Sequence, residues 1–325
     1  MKSILKDNPE IDRNAWIALL QGSAQGAIYA HPDFMDVVAP GWQGIEVWND
    51  RRLVAIMPLH IKSKGFFRYS LQPSFCQFWG IFFASDGLVS PYKHFSRTRK
   101  IVKAVVEALP TGIRWFLHGF APEFDYPLPF HWAGFQLQTR YTYRIDLRAG
   151  FAVAEGGFGN DTKYDIRKAS EGGIQVSHGA SCEELIQLAH ENHAAGKHLL
   201  RPDQSRTLER LTPVLLQHRL GMLLEAKSPT GKVVAAALFA HFAGKVSYLV
   251  SAQEPSTKAK GAMTLLLSKA IEESAANGHP VFDFEGSLIE GIEGFFRGFG
   301  GTPVPYLMIE KNQLPLWAGW IRKLR

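Results

Sequence analysis

The second half of the chain shows the clearest apolar patterning. "GMLLEAK" (221–227), "KVVAAALFAHF" (232–242) and "KVSYLVSA" (245–252) read as three strands, separated by turns at "SPTG" and Ala243-Gly244. Those turns are too short for crossovers, which predicts an antiparallel meander. Met263, Leu266, Leu267, Ala270 and Ile271 then keep helical spacing. Ser256 or Thr257 stands ready to cap that helix, and Asn277-Gly278 to end it. "PVFDFEGS" (280–287) returns as a strand, which makes a right-handed parallel crossover, and "TPVPYLMIE" (302–310) is a further strand.

The first half repeats this plan. "GIEVWNDRRLVAIMPLHIK" reads as a hairpin turning at Asn49-Asp50, "GFFRYSLQP" as a third strand, Arg97–Leu109 as a helix and "IRWFLHGF" (113–120) as the returning strand. The closing segments align: "AGFQLQTRYTYRID" (133–146) sits beside "RGFGGTPVPYLMIE" (297–310). Each half opens with a helix, Asp12–Leu20 in one and Cys182–Ala195 in the other, and Ser181 with Glu184 has capping-box spacing. The expected architecture is therefore a duplicated mixed α/β unit, with domains at 1–150 and 151–325. The boundary falls where "LRAGFAVAEGG" loses its pattern, and the last residues of the chain are free to pack back on the first domain. "GGFGN" (156–160) reads as a flexible linker, not a nucleotide fingerprint.

Composition narrows the function classes without choosing one. The 325 residues are 46% hydrophobic and 20% charged, enough to bury a real core. No run reaches the length of a membrane span. The first residues lack the apolar stretch of a secretion signal, so a cytoplasmic location is expected. Cys76 and Cys182 fit no metal or redox spacing and read as buried thiols. The net charge of +6 favours anionic partners such as a phosphorylated cofactor, tRNA or a membrane surface. The densest histidine run, His190, His193 and His198, lacks the H-E-x-x-H spacing, and no metal site is expected.

Several segments carry candidate chemistry, each with a plainer alternative. "STKAKGAMT" (256–264) lies where a strand feeds a helix, a place suited to anions. There Lys258 and Lys260 add charge, Gly261 lets a pyrophosphate approach and Ala262 opens the helix; otherwise it is a solvated helix start. In "FDFEGS", strand alternation puts Asp283 and Glu285 on one face. They read either as a general base for an attacking amine or as a structural pair with Arg297. Arg297 itself reads as a clamp for phosphate or carboxylate, or as a buried ion pair. "KVSYLVSA" offers Tyr248, a candidate catalytic residue with a core tyrosine as the alternative, and Ser251, a candidate for substrate binding. "KYDIRKASEGG" reads as a helix ended by Gly172-Gly173. Its Tyr164, Arg167 and Lys168 share a face that meets an anionic acceptor or tRNA, or only solvent. The C-terminal "LPLWAGWIRKL" reads as a short amphipathic helix with Trp317, Trp320, Arg322 and Lys323. It either touches a membrane face peripherally or packs on the first domain.

Three of these stretches resemble a known family. "KYDIRKASEGGIQV", "KAKGAMTLLLSKAIEESAANGHPVFDFEGS" and "FFRGFGG" are similar to segments of the FemABX group, and the strand order resembles the GNAT N-acyltransferase fold. The resemblance implies two tandem GNAT-like domains, a bacterial acyltransferase and an active cleft in the second half. For Tyr248 it implies the role of proton donor to a leaving thiolate. It implies an acetyl-CoA or other acyl-CoA donor with a small-molecule or peptide amine as acceptor, and no DNA. Alternatively it implies an aminoacyl-tRNA donor feeding a cell-wall precursor, or a non-catalytic ligand-binding module. Glu285 stands where many relatives have a small residue, Arg297 where they tend to have lysine, and "TKAKGAMT" is a reduced form of the acetyltransferase phosphate loop.

Overall fold

The computed structural model describes residues 1–85, 87, 90–194, 200–254, 261–286, 290–315 and 317, with 192–194 and 290 by backbone alone. The chain divides into two compact units. Unit 1 is Met1–Arg140 with Pro305–Arg325, and unit 2 is Tyr141–Val304, against the expected 1–150 and 151–325.

Unit 1 begins with β1 (Lys2–Asp7), α1 (Arg13–Gly22) and α2 (Pro32–Val38). Strands β2 (Gln43–Asn49) and β3 (Arg52–Leu59) form the expected hairpin, with Asp50 in the left-handed conformation at φ 54°. The chain continues into β4 (Ile61–Lys64), a tight hairpin with β5 (Phe67–Leu71), and then β6 (Phe82–Phe83). Helix α3 (Pro91–Ala108) starts six residues before the expected Arg97. Pro91 occupies its first turn, where a missing N–H costs nothing. β7 (Ile113–Phe120), α4 (Leu128–Trp132) and the start of β8 (Gln136–Asp146) complete the first pass. Thr98, Ile101, Val102 and Val105 lie on one helical stripe of α3 and are buried with Ile45, Val47, Ala55 and Met57 of the β2–β3 hairpin.

In unit 2, the stretch read as patternless forms α5 (Phe151–Gly156), and the "GGFGN" segment is packed rather than flexible. Phe158 is buried 5.2 Å from the ring of Phe299, and Gly159 N–H donates to Gly298 O at 2.8 Å. Then come α6 (Asn160–Glu171), β9 (Gln175–His178), α7 (Glu183–Ala194) and α8 (Pro202–Gln217). The meander follows as β10 (Gly221–Lys227), β11 (Val233–Phe242) and β12 (Lys245–Gln253), antiparallel throughout. Helix α9 (Ala262–Ala276) buries Met263, Leu266, Leu267, Ala270 and Ile271, the positions its spacing marked, and it leads to β13 (Val281–Asp283), parallel to β12. α10 (Glu290–Gly298) and β14 (Thr302–Asn312) end the fold. From Leu307 to Asn312, β14 pairs with β7 inside unit 1. The two aligned closing segments thus both become strands, β8 and β14, each preceded by a helix.

Residues 280–287 were expected to form one strand. Among the described residues of that stretch, only Val281–Asp283 do. Glu285 and Gly286 both take positive φ, 61° and 67°, which ends the extended run. The backbone leaves little choice at Gly286, because a Cβ there would sit 2.2 Å from Tyr141 O.

Candidate active site

The site lies in unit 2, where two parallel neighbours part. β12 and β13 pair over Lys245↔Val281, Val246↔Phe282 and Ser247↔Asp283. Beyond that point each strand keeps its other neighbour. Phe284 N–H donates to Tyr143 O of β8 at 2.9 Å, while β12 stays on β11 as far as Gln253. The β11 register slips between Leu238↔Val250 and Phe239↔Tyr248, leaving Leu249 as an extra residue. Such a bulge sharpens the local twist and re-aims the side chains beside it. A wedge therefore opens between Tyr248 on one strand and Phe284-Glu285 on the other.

Tyr248 sits in this wedge among aromatic rings. Phe239 stacks at 5.5 Å, and Phe284 and Phe296 meet it edge-on at 6.4 and 6.3 Å. Its hydroxyl donates to Ser251 Oγ and lies 3.7 Å from Met263 Sδ in the first turn of α9. Burial pushes the phenol up to about 12, with the Ser251 hydrogen bond opposing. The structure thus brings Tyr248, Ser251 and the start of α9 together.

The acids behave differently from the expected same-face pair. Asp283 is 2% exposed and fully engaged: Arg144 Nε donates to Oδ2 at 2.6 Å, Thr142 Oγ1 donates to Oδ1, and Glu285 N–H donates to Oδ1 at 2.9 Å. Its ion-pair partner is Arg144, not Arg297. Arg297 lies on α10 with its side chain 72% exposed and pairs with Glu293 one turn back, Nε to Oε1 3.2 Å. Helical placement carries it away from the position a strand-and-loop reading gave it. Glu293 also bears on Tyr143, whose phenol is raised by burial and then by that carboxylate. Glu285 is half-buried, and its left-handed backbone is held by the Asp283 carboxylate. A glutamate in that conformation stores of order 1 kcal/mol of strain, the kind of feature that concentrates at functional sites.

Gly261 caps α9 at φ 80°, and Ala262 behind it is fully buried. A Cβ on Gly261 would fall 2.6 Å from Asp165 O and 3.3 Å from Ala169 Cβ of α6. This glycine therefore permits a close approach by helix α6. Lys258 and Lys260, with the Ser256 and Thr257 caps, lie outside the described residues. On α6, Tyr164, Arg167 and Lys168 share an exposed face. Lys168 Nζ meets Glu171 Oε2 at 2.9 Å, Arg167 Nε lies 3.8 Å from Glu171, and the two cations sit 5.8 and 5.5 Å from the Tyr164 ring centre.

Sequence reading missed Arg144 and Thr142, which fix Asp283. Their signal was the i, i+2 alternation of "TYR" on the strand opposite. It also missed Met263 as a neighbour of Tyr248.

Comparisons with known proteins bear on the same region. Residues 158–297 match the model of the acetyltransferase (GNAT) domain family. That stretch is similar to a GNAT acetyltransferase domain. Among solved structures, FemX aligns over 94% of this chain and 97% of its own at 12% identity, TM-score 0.72. The C-terminal domain of a putative lysylphosphatidylglycerol synthetase from Agrobacterium fabrum aligns over 95% and 93% at 13% identity, TM-score 0.59. A tandem GNAT protein from the clavulanic acid biosynthesis pathway aligns over 97% and 99% at 11% identity, TM-score 0.52. At such identities these neighbours speak for the fold, which is two GNAT-like domains in tandem. The comparison with curated proteins finds no match.

Proposed function

We propose that the wedge between β12 and β13 receives the acyl end of an acyl-CoA and an amine acceptor, and that the protein is an N-acyltransferase. The observation that carries this is the parting of the two strands after Ser247 and Asp283: among the described residues no strand pairs with that side of β12 from Tyr248 onward. An extended pantetheine-like chain fits such a strand edge, since it presents amides at strand-like intervals. The backbone N–H groups at the start of α9 are suited to its phosphates, although Gly261 is already used by α6. A bound acyl-CoA would supply an activated thioester carbonyl.

The chain's own residues then divide the work. Glu285 accepts the proton that the amine sheds as its N–C bond forms and the C–S bond breaks. Asp283 does not serve as the base. Its oxygens are occupied by Arg144, Thr142 and the Glu285 amide, so it is a positioning residue for Glu285. Tyr248, held near 12, keeps its proton against a thiolate of ordinary thiol pKa. It therefore acts with Ser251 as a hydrogen-bond donor rather than as an acid. Most of the acceleration comes from holding amine and thioester together.

A second reading rests on α6: its exposed Tyr164, Arg167 and Lys168 favour an anionic acceptor or the backbone of an aminoacyl-tRNA donor. Calorimetric titration with acetyl-CoA separates the two. Micromolar binding, lost in a Lys258→Ala/Lys260→Ala variant, supports the acyl-CoA donor. No acetyl-CoA binding, with salt-sensitive tRNA binding lost in Arg167→Ala/Lys168→Ala, supports the tRNA donor and overturns the first reading.

A further inference from the structure

Far along the chain from the wedge, unit 1 carries a small protruding feature that acyl transfer does not use. The β4–β5 hairpin turns at Gly65-Phe66, with Gly65 at φ 57°. At its tip the Phe66 side chain is fully exposed, at 101% of its reference area. Lys62, Ser63, Lys64 and Arg68 around it are exposed as well. Register places Lys64 opposite Phe67 and Lys62 opposite Tyr69, so both lysines stand on the face that carries Phe67. Trp317, 72% exposed, rests its ring 5.5 Å from that of Phe67. From Arg51 to Ser85 the chain contains no aspartate or glutamate, while it holds Arg51, Arg52, Lys62, Lys64 and Arg68.

We propose that this hairpin tip, Phe66 flanked by Lys62, Lys64 and Arg68 with Trp317 against the neighbouring Phe67, docks unit 1 on an anionic phospholipid bilayer. The parts match the layers of a membrane surface. An apolar ring without a polar handle enters the acyl boundary, an indole sits at headgroup depth, and lysines on flexible stems reach anionic headgroups. Charge complementarity selects an anionic surface, since no acid on the hairpin opposes it. The geometry favours a bilayer over RNA. Bases stack on rings presented by a flat sheet face or groove, whereas Phe66 projects from the end of a two-residue turn. This inference is independent of which acyl donor the wedge takes.

The test uses the whole chain and vesicles of phosphatidylcholine with 30% phosphatidylglycerol, against pure phosphatidylcholine, in a flotation assay. Binding is expected only to the anionic vesicles, falling at high salt. Phe66→Ser should lower the partition about ten-fold, and Lys62→Ser with Lys64→Ser about twenty-five-fold, at about five-fold per cation. Thermal melts of all variants should match wild type, because the substituted side chains are exposed. A second readout labels Phe66→Cys with an environment-sensitive dye, the native cysteines being buried. Its emission should shift to the blue on anionic vesicles. Absence of vesicle binding, a Phe66→Ser protein that binds as wild type, or an unshifted label overturns the proposal. So does a Phe66-dependent affinity for single-stranded RNA without vesicle binding, which assigns the tip to nucleic acid.

Discussion

Each unit holds a parallel strand pair joined through a helix, β5–α3–β7 in unit 1 and β12–α9–β13 in unit 2, and the two pairs end in opposite ways. In unit 1 the pair stays closed. Register runs from Arg68↔Ile113 to Leu71↔Leu117, and Gln72 N–H then donates to Leu117 O at 3.2 Å. Where the strands would part, the connection to α3 doubles back: Gln72 Oε1 accepts from Gly119 N–H, and Trp79 N–H donates to Gly119 O, both at 2.6 Å. Gly80 lies so near Phe120 that a Cβ there would sit 2.6 Å from the ring. In unit 2 the pair separates after Ser247 and Asp283, and the gap is framed by Tyr248, Ser251 and Glu285. In unit 1 the end is sealed because the connecting segment spends its polar groups on the strand edge; in unit 2 no such bond to the parted strands is seen among the described residues.

Substitutions can break this contrast. The largest effect is expected on the open side, from Asp283→Ala. It removes the Arg144–Asp283 ion pair, with the Thr142 and Glu285 hydrogen bonds to the same carboxylate, a loss of about 3–5 kcal/mol, and unit 2 should melt roughly 10 °C lower. Glu285→Gln should leave the melt unchanged while turnover falls about a hundred-fold or more. Full turnover in Glu285→Gln would remove it as the base.

Acid should strike the closed side hardest. Burial holds His118 at about 3, and burial followed by Lys62 holds His60 at about 4, against 6.5 in the unfolded chain. Both imidazoles are neutral in the fold, so the unfolded chain binds more protons at every pH between those values and 6.5. Their contribution is complete above 6.5 and is lost as pH falls toward 4 and then 3. Chemical denaturation across pH 7 to 4 should show unit 1 weakening, with a flatter acid limb in His118→Asn. An identical limb in that variant would assign the acid sensitivity elsewhere.

On the same seal, Gln72→Ala strands the Gly119 amide and should cost about 1–3 kcal/mol of unit 1 stability without affecting catalysis. The smallest shift is expected from Tyr248→Phe. It forfeits the bond to Ser251, about 1 kcal/mol, and should reduce kcat with KM for the donor little changed.

Much of the scaffold was legible because its signals are local. The meander of β10–β12 follows from alternating apolar runs between short turns, and the stripe of α9 from Met263 to Ile271. Parity at the site was not legible in the same way. Reading Asp283 and Glu285 as face-sharing assumed that the strand continued, and glutamate gives no sign of a left-handed backbone; only Gly286 beside it hinted at a bend. The role of Gly261 depends on Asp165, nearly a hundred residues earlier in sequence, so no local pattern carries it. Arg297 was displaced for a similar reason: its "EGIEGFFRG" neighbourhood closes a helix, while the glycines in it argued for turns.

The return of β14 to β7 also bears on how the protein is made. Ile309, fully buried in the core of unit 1, leaves the ribosome only after all of unit 2. At ordinary synthesis rates that delay is roughly ten to thirty seconds, and for that time the edge of β7 that will receive Leu307–Asn312 has no native strand. The inserted unit can close on its own schedule, whereas the unit that starts the chain must finish last. Until Leu307–Asn312 arrive, that edge presents unpaired N–H and C=O groups, the kind of surface on which another chain can pair.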